Sequence, residues 1–281
     1  MNQPLIDVRD VEFRYTPASE PVLHGINLTI SQGEFIALLG QNGAGKTTLA
    51  KHFNGLLAPS RGRVIVGGRP TAEMSLTELA RQVGYCYQNP DHQIFAPTVE
   101  KEVRFGPDNL GLPGAEAAAL TDHALELVGL TAAREMNPFV LGRGQRQLLA
   151  VASIIAMDPP ALVVDEPTTG MDLAGVQRIM RLLASWAVDG RTIIVITHDM
   201  DVVAEFIPRA VVMAHGQVLA DGETQDVLRR DDVLREARLL APDAITLSDQ
   251  LSHLGVGRCG TVTAVAQHLT THLGGHLARR I

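Results

Sequence analysis

Residues 38–53, LLGQNGAGKTTLAKHF, carry the stretch whose reading decides the fold. An apolar run, FIALLG at 35–40, ends in a turn with glycines at 40, 43 and 45, and GKTTLAKHFNGLL then takes up helical spacing. Gly40 and Gly45 enclose four residues and are followed by Lys46, Thr47 and Thr48, the spacing of a phosphate-binding loop. Glycines there let the successive N–H groups of Gln41, Asn42, Gly43 and Ala44 converge on one point, where the following helix adds the positive end of its dipole. Lys46 can then reach the β- and γ-phosphates, and the Thr47 hydroxyl can take a place on Mg²⁺. A bare glycine turn between strand and helix is the alternative. Lysine, however, occurs only at 46, 51 and 101 in the whole chain, so a lysine at this position is a poor product of chance. The turn is expected to hold a nucleoside triphosphate.

A second element is ALVVDEP, 161–167. An apolar strand ending in two carboxylates places Asp165 at the C-terminal edge of a sheet, where it can hold magnesium through the ion's water shell. Glu166 then lies where it can polarise an attacking water. On its own such a pair is usually a solvated strand end; beside a phosphate loop it reads as functional. ITHD puts His198 just past another apolar strand, on the loop's edge, within reach of a γ-phosphate, and VGYCYQNP puts Gln88 at a strand end where its amide can touch Mg²⁺ or the water.

Around these motifs IDVRDVEFRY, VLHGINLTI, RVIVGG, VGYCYQ and RTIIVITH read as strands. Residues 98–136 (TVEKEVRFG, AEAAALTDHALELVGL, TAAREM) have helical spacing and little β-branching, which marks a helical insert. Strand–helix alternation predicts an α/β fold with a mainly parallel sheet covered on both faces. From about 224 the pattern weakens: DVLRRDDVLREARLL reads as one amphipathic helix, Pro242 begins a less regular tail, and TAVAQHLTTHL is a last helix.

Composition sets limits. At 281 residues the chain suits one large domain, or a main domain with a smaller attachment. A net charge of -7 argues against broad nucleic-acid binding, which needs a basic face. Two cysteines, Cys86 and Cys259, are too few for a disulfide framework and fit a reducing compartment. MNQPLIDVRD lacks the basic start and apolar core of a secretory signal. No window reaches the roughly 18–20 apolar residues of a membrane span. The expectation is a soluble, cytoplasmic chain.

Taken in order, these elements resemble the ATP-binding-cassette (ABC) ATPases over most of residues 4–222. The phosphate loop corresponds to Walker A, Gln88 to the Q-loop, 141–145 to the signature, Asp165 and Glu166 to Walker B, Asp172 to the D-loop and His198 to the switch histidine. The resemblance implies a P-loop NTPase fold whose nucleotide-binding domain spans 1–222. That domain would hold a mainly parallel core sheet, an antiparallel β subdomain and a helical subdomain at about 89–160. A C-terminal extension at 223–281 would contribute to dimer contacts. It also implies ATP and Mg²⁺ as ligands, with Tyr15 stacking on adenine; a plain strand aromatic in the core is the competing reading of Tyr15. A narrower resemblance, carried by QNPDHQIFAPTVEKEVRFGPDNLGL at 88–112, is to energy-coupling factor transporter ATPases, which power uptake of vitamins and transition-metal ions. It implies a second ABC ATPase, a transmembrane coupling protein and a membrane substrate-binding protein as partners, and a place on the cytoplasmic face of the membrane. Residues 88–103 would transmit motion to the coupling protein; a helical surface with no partner is the alternative. Other readings are another type of ABC importer, a soluble ABC protein acting on nucleic acid, and a phosphotransferase with the same loop.

The signature departs from the family's LSGGQ, being Leu141-Gly142-Arg143-Gly144-Gln145. In the family this segment completes the ATP site of the facing cassette. Gly142 removes a hydroxyl there, a hydrogen bond to a charged group worth roughly 1.5–3 kcal/mol. Arg143 either offsets that loss by pairing with phosphate or is an exposed arginine without a role. In a heterodimer with an LSGGQ partner the two ATP sites would be unequal; in a homodimer both would carry Gly-Arg.

Overall fold

The structure, a computed structural model, describes residues 4–254 and 256–277. The chain opens with β1 (Pro4–Phe13), β2 (Leu23–Ser31) and β3 (Phe35–Leu39), then α1 (Lys46–Phe53), β4 (Arg61–Val66), β5 (Arg69–Pro70), α2 (Leu76–Gln82) and β6 (Val83–Cys86). Three helices follow, α3 (Val99–Asn109), α4 (Gly114–Leu127) and α5 (Arg143–Ile155). Strand and helix alternate again through β7 (Ala161–Asp165), α6 (Leu173–Val188), β8 (Thr192–Thr197), α7 (Met200–Phe206), β9 (Arg209–Ala214) and β10 (Gln217–Glu223). The chain then runs through α8 (Thr224–Val227), α9 (Asp231–Glu236), α10 (Asp243–Gln250) and α11 (Val262–Leu277).

Two sheets form among the described residues. The larger has the order β10-β9-β3-β8-β7-β6 and is parallel except for β10, which pairs antiparallel with β9. Its inner strands FIALL, ALVVD and TIIVIT are apolar almost throughout and buried at every position, as a sheet covered on both faces requires. Alternate residues serve opposite faces: Ile36 and Leu38 pack with α1 and the smaller sheet, Ala37 and Leu39 with the helices across from it. The smaller sheet, β2-β1-β4-β5, is antiparallel. The expected α/β class with a mainly parallel sheet, an antiparallel sheet and an intervening set of helices is the observed architecture.

Small residues set how closely α5 approaches the larger sheet. A Cβ on Gly84 of β6 would stand 2.2 Å from Ile154 Cγ2, so the glycine is what lets β6 and α5 touch.

Three expectations need correction. The amphipathic run at 226–240 is two short helices, α8 and α9, not one. Arg229 folds its guanidinium back onto Gln225, and Asp231 and Asp232 begin a new first turn, where acidic residues favour a helix start. Pro242 opens α10 rather than an irregular tail, because its missing N–H costs nothing at a helix start. TAAREM forms only a single 3₁₀ turn, Thr131–Ala133.

Candidate nucleotide site

The loop between β3 and α1 adopts left-handed backbone at each glycine, with φ of 148° at Gly40, 85° at Gly43 and 98° at Gly45. A Cβ would stand 2.2 Å from Met213 O at Gly40 and 2.8 Å from Leu23 Cδ2 at Gly45, whereas at Gly43 it would meet nothing within 4 Å. The first and last glycines are thus fixed by packing, and the middle one by its backbone conformation alone. Lys46 turns back over the loop and donates from Nζ to the carbonyls of Gly40 (2.6 Å) and Gln41 (3.0 Å). It is buried, at 7% exposure, and desolvation holds its pKa below the usual lysine value against the opposing pull of Glu166 and Asp165.

Asp165, the last residue of β7, is buried. Its Oδ2 accepts from Thr47 Oγ1 and from the Tyr85 hydroxyl, both at 2.9 Å. A magnesium keeps several waters and needs few protein oxygens, so Thr47 and Asp165 form a donor set that fits it without a dense cluster of acidic ligands. Burial and the neighbouring carboxylate push the Tyr85 phenol far up, so it stays a donor. They also push the buried Cys86 thiol up to about 12, which leaves it a protonated core residue. Cys259 is buried as well.

Glu166 follows in left-handed backbone, φ 48°, its N–H donating to Ile196 O at 2.8 Å. A non-glycine residue pays roughly 1–2 kcal/mol to stand there. That strain aims the carboxylate along the sheet edge, where Oε1 accepts from His198 Nδ1 at 2.8 Å. His198 is exposed at the end of β8. A carboxylate hydrogen-bonded to an imidazole therefore lies beside the buried lysine and the Thr47–Asp165 pair.

Tyr15 lies just past the end of β1. At 59% exposure it is not a core aromatic. Its hydroxyl shares a hydrogen bond with Thr48 Oγ1 (3.0 Å), and its ring packs edge-on against Phe13 at 4.9 Å between centroids. Gln88 is exposed two residues beyond β6, and its side chain makes no hydrogen bond among the described residues.

Gly142, Arg143, Gly144 and Gln145 are placed differently. They open α5, and no hydrogen bond or ion pair among the described residues joins them to residues 40–48. Gln145 Oε1 accepts from Gly142 N–H at 3.1 Å, which caps the helix. The Arg143 guanidinium packs over Gly170, where a Cβ would stand 2.9 Å from Arg143 Cζ.

Residues after Gln88 tie the sheet edge to α5. Gln93 donates to Ala150 O (2.8 Å) and Ser153 Oγ (3.0 Å), accepts from Tyr87 N–H (3.2 Å), and Arg146 pairs with Asp91 at 2.8 Å. The buried carboxylate of Glu102 accepts from the N–H groups of Phe95 (3.0 Å) and Ala96 (2.8 Å). An open apolar groove of about 390 Å³ lies beyond, lined by Leu76, Phe95, Phe105, Leu110, Ile154 and Met157 among others. Phe95 and Phe105, 60% and 48% exposed, meet edge-on at 4.6 Å across it.

Sequence reasoning missed Tyr85, Glu102 and one contact from the C-terminal part, where Arg238 O accepts from Gln41 Nε2 at 3.1 Å. Tyr85 was visible only as a strand residue, and Glu102 as one charge among several on a helix.

Comparison with known proteins agrees with this geometry. The family model described as ABC transporter matches residues 23–169. The energy-coupling factor transporter ATP-binding protein EcfA of Methanocaldococcus jannaschii is 42% identical over 250 residues, 88% of this chain and 89% of the relative. Among solved structures, CbiO1 of Clostridium perfringens, part of the ABC transporter complex CbiONQ, superposes with a TM-score of 0.76 at 33% identity, covering 90% of this chain and 99% of that one. The ATP-binding cassette MJ0796, dimeric in a post-hydrolysis state with ADP and Pi, gives a TM-score of 0.71 at 26% identity over 78% of this chain and 98% of that one. Other relatives are longer: the chain spans 43%, 41% and 43% of the length of three of them.

Proposed function

The chain belongs to the ABC transporter family, and from that membership we propose that it is the ATP-hydrolysing subunit of an importer of the energy-coupling factor type. The observation that carries this reading is the gathering of Lys46, Asp165, Glu166 and His198 at the C-terminal edge of the larger sheet, beside the glycine loop between β3 and α1. The loop and Lys46 hold the phosphates; Lys46 exchanges two carbonyl partners for phosphate oxygens, and the anion opposes the burial that lowers its pKa. Thr47 and Asp165 would hold Mg²⁺, which would neutralise charge on the phosphates. Glu166 orients the attacking water and takes its proton, with His198 fixing the carboxylate from the far side. Gln88, exposed past β6, would reach the metal or the water through its amide, and Tyr15 would offer an exposed face to adenine. Residues 1–222 form the nucleotide-binding domain, with the helical subdomain at about 89–160, and 223–281 the extension.

A second cassette would complete each site; the cassette MJ0796 is dimeric in its solved structure. Gly142–Gln145 would face the partner's ATP, with Arg143 supplying the charge that the missing hydroxyl does not. The apolar groove lined by Phe95 and Phe105 suits a helix from a transmembrane coupling protein; docked so, the chain would lie at the cytoplasmic face of the membrane, in a complex with a membrane substrate-binding protein. The cargo class, vitamin or transition-metal ion, follows the energy-coupling factor resemblance. No helix among the described residues is long and apolar enough to cross a membrane.

Phosphate release from ATP by the purified chain with magnesium tests the hydrolytic reading. Lys46→Ala should abolish nucleotide binding, and Glu166→Gln should retain binding while losing turnover. Equal turnover in wild type and Glu166→Gln would overturn the assignment.

A further inference from the structure

One cation beside the site has no side-chain partner among the described residues. Arg238 lies in the turn between α9 and Pro242, in left-handed backbone with φ 52°. Its main-chain carbonyl is fixed by Gln41 Nε2, which ties this turn to the tip of the phosphate loop across 197 residues of sequence. Its exposed guanidinium makes no hydrogen bond or ion pair among the described residues, whereas Arg209 and Arg229 are both engaged. Two cavities bring the turn and the loop together. A smaller one of about 170 Å³ is shared by Arg238, Glu236, His215 and the loop residues 41–44. A larger one of about 550 Å³ is shared by Arg238, Gln41, Asn42 and His198, with Met200 and two leucines.

The residues lining the larger cavity include Arg238, His198, Gln41 and Asn42 and no acidic residue, although His198 Nδ1 is bonded to Glu166 and Gln41 Nε2 to Arg238 O. That chemistry selects an anion. The cavity is shared by the loop tip and by His198, the residue read above as lying within reach of a γ-phosphate. We propose that Arg238, from the C-terminal extension, pairs with the terminal phosphate of the bound nucleotide and so distinguishes triphosphate from diphosphate. The inference rests on the ATPase reading above. It makes the extension part of the nucleotide site, because the carbonyl of the same residue already holds Gln41. An extension anchored to the loop through Arg238 O would register whether the third phosphate is present.

The test is calorimetric titration of the full chain with Mg²⁺ and either the non-hydrolysable analogue AMP-PNP or ADP. Arg238→Ala keeps the backbone carbonyl that Gln41 uses, so the anchor remains. The expected result is a roughly tenfold weaker AMP-PNP affinity with ADP affinity unchanged within about twofold, the size of one charge-assisted hydrogen bond in a partly solvated site. Arg238→Lys should recover part of the difference. Arg235→Ala, which removes an exposed charge one turn earlier on α9, should leave the ratio at its wild-type value. Equal loss for both nucleotides in Arg238→Ala, or the same change in Arg235→Ala, would overturn the assignment of Arg238 while leaving the ATPase reading intact. Failure of the wild-type chain to bind AMP-PNP would overturn both.

Discussion

Replacing Glu102 by alanine is the sharpest probe of how the groove is held. The carboxylate is 3% exposed, and one oxygen, Oε2, takes both the Phe95 and the Ala96 N–H groups. Hydrogen bonds to a charged group contribute roughly 1.5–3 kcal/mol each, and a buried donor left without a partner bears the full desolvation cost. Phe95 is exposed, so water can replace its lost partner; Ala96 is buried, so water cannot. The loss should therefore fall near one and a half such bonds, about 2–4 kcal/mol. In a chain of this length that lowers the thermal midpoint by roughly 5–12 °C. Glu102→Gln keeps an acceptor oxygen for the Ala96 N–H and should lose less than half as much. Scanning calorimetry or urea unfolding reads both variants, and AMP-PNP binding should persist in each because the phosphate loop is untouched. If Glu102→Ala melted within about 2 °C of wild type, the carboxylate would not be what holds residues 94–97, and the groove would need another support.

Three further outcomes follow from the geometry. Tyr85→Phe removes one of two donors to Asp165 Oδ2, so the Mg²⁺ concentration for half-maximal ATP turnover should rise several-fold with stability lowered by about 1 kcal/mol; an unchanged magnesium titration would count against the Thr47–Asp165 metal assignment. Gly170→Ala places a Cβ at φ 75° under the Arg143 guanidinium and should cost about 1 kcal/mol, chiefly from the backbone, as read by a thermal shift. His52, on the buried face of α1, donates from Nδ1 to Thr48 O, and burial lowers its pKa. The unfolded chain therefore binds the proton first, and stability should fall as pH drops below about 6.5. His52→Gln should flatten that fall between pH 7.5 and 5 in urea titrations, and an unaltered slope would show that other groups set it.

Much of the site was legible because its chemistry sits at the ends of apolar strands. FIALL, ALVVD and TIIVIT mark buried parallel strands, so the residues at or just past their ends, Gly40, Asp165, Glu166 and His198, share one edge. Tyr85 was hidden because a hydroxyl inside VGYC changes neither period nor polarity enough to stand apart from its strand. Glu102 was hidden because helical spacing fixes which face a residue occupies, but not whether a neighbouring loop will fold over it. The break at Arg229-Arg230 was missed for a related reason. The apolar period of 226–240 continues across it, and only the side-chain return of Arg229 onto Gln225 and the acidic pair after it terminate one helix and start another. The contact between Gln41 and Arg238 joins residues too far apart for any local pattern to reveal.

The central claim is that ATP hydrolysis at this site drives a membrane partner docked in the Phe95–Phe105 groove. The most direct measurement is mild-detergent co-purification from native membranes of the wild-type chain beside the Phe95→Asp/Phe105→Asp double variant, with ATP turnover assayed on both preparations. The account predicts that a polytopic membrane protein is retained by wild type and lost by the double variant, while the isolated variant still hydrolyses ATP. Retention of the same membrane protein by both chains would contradict it.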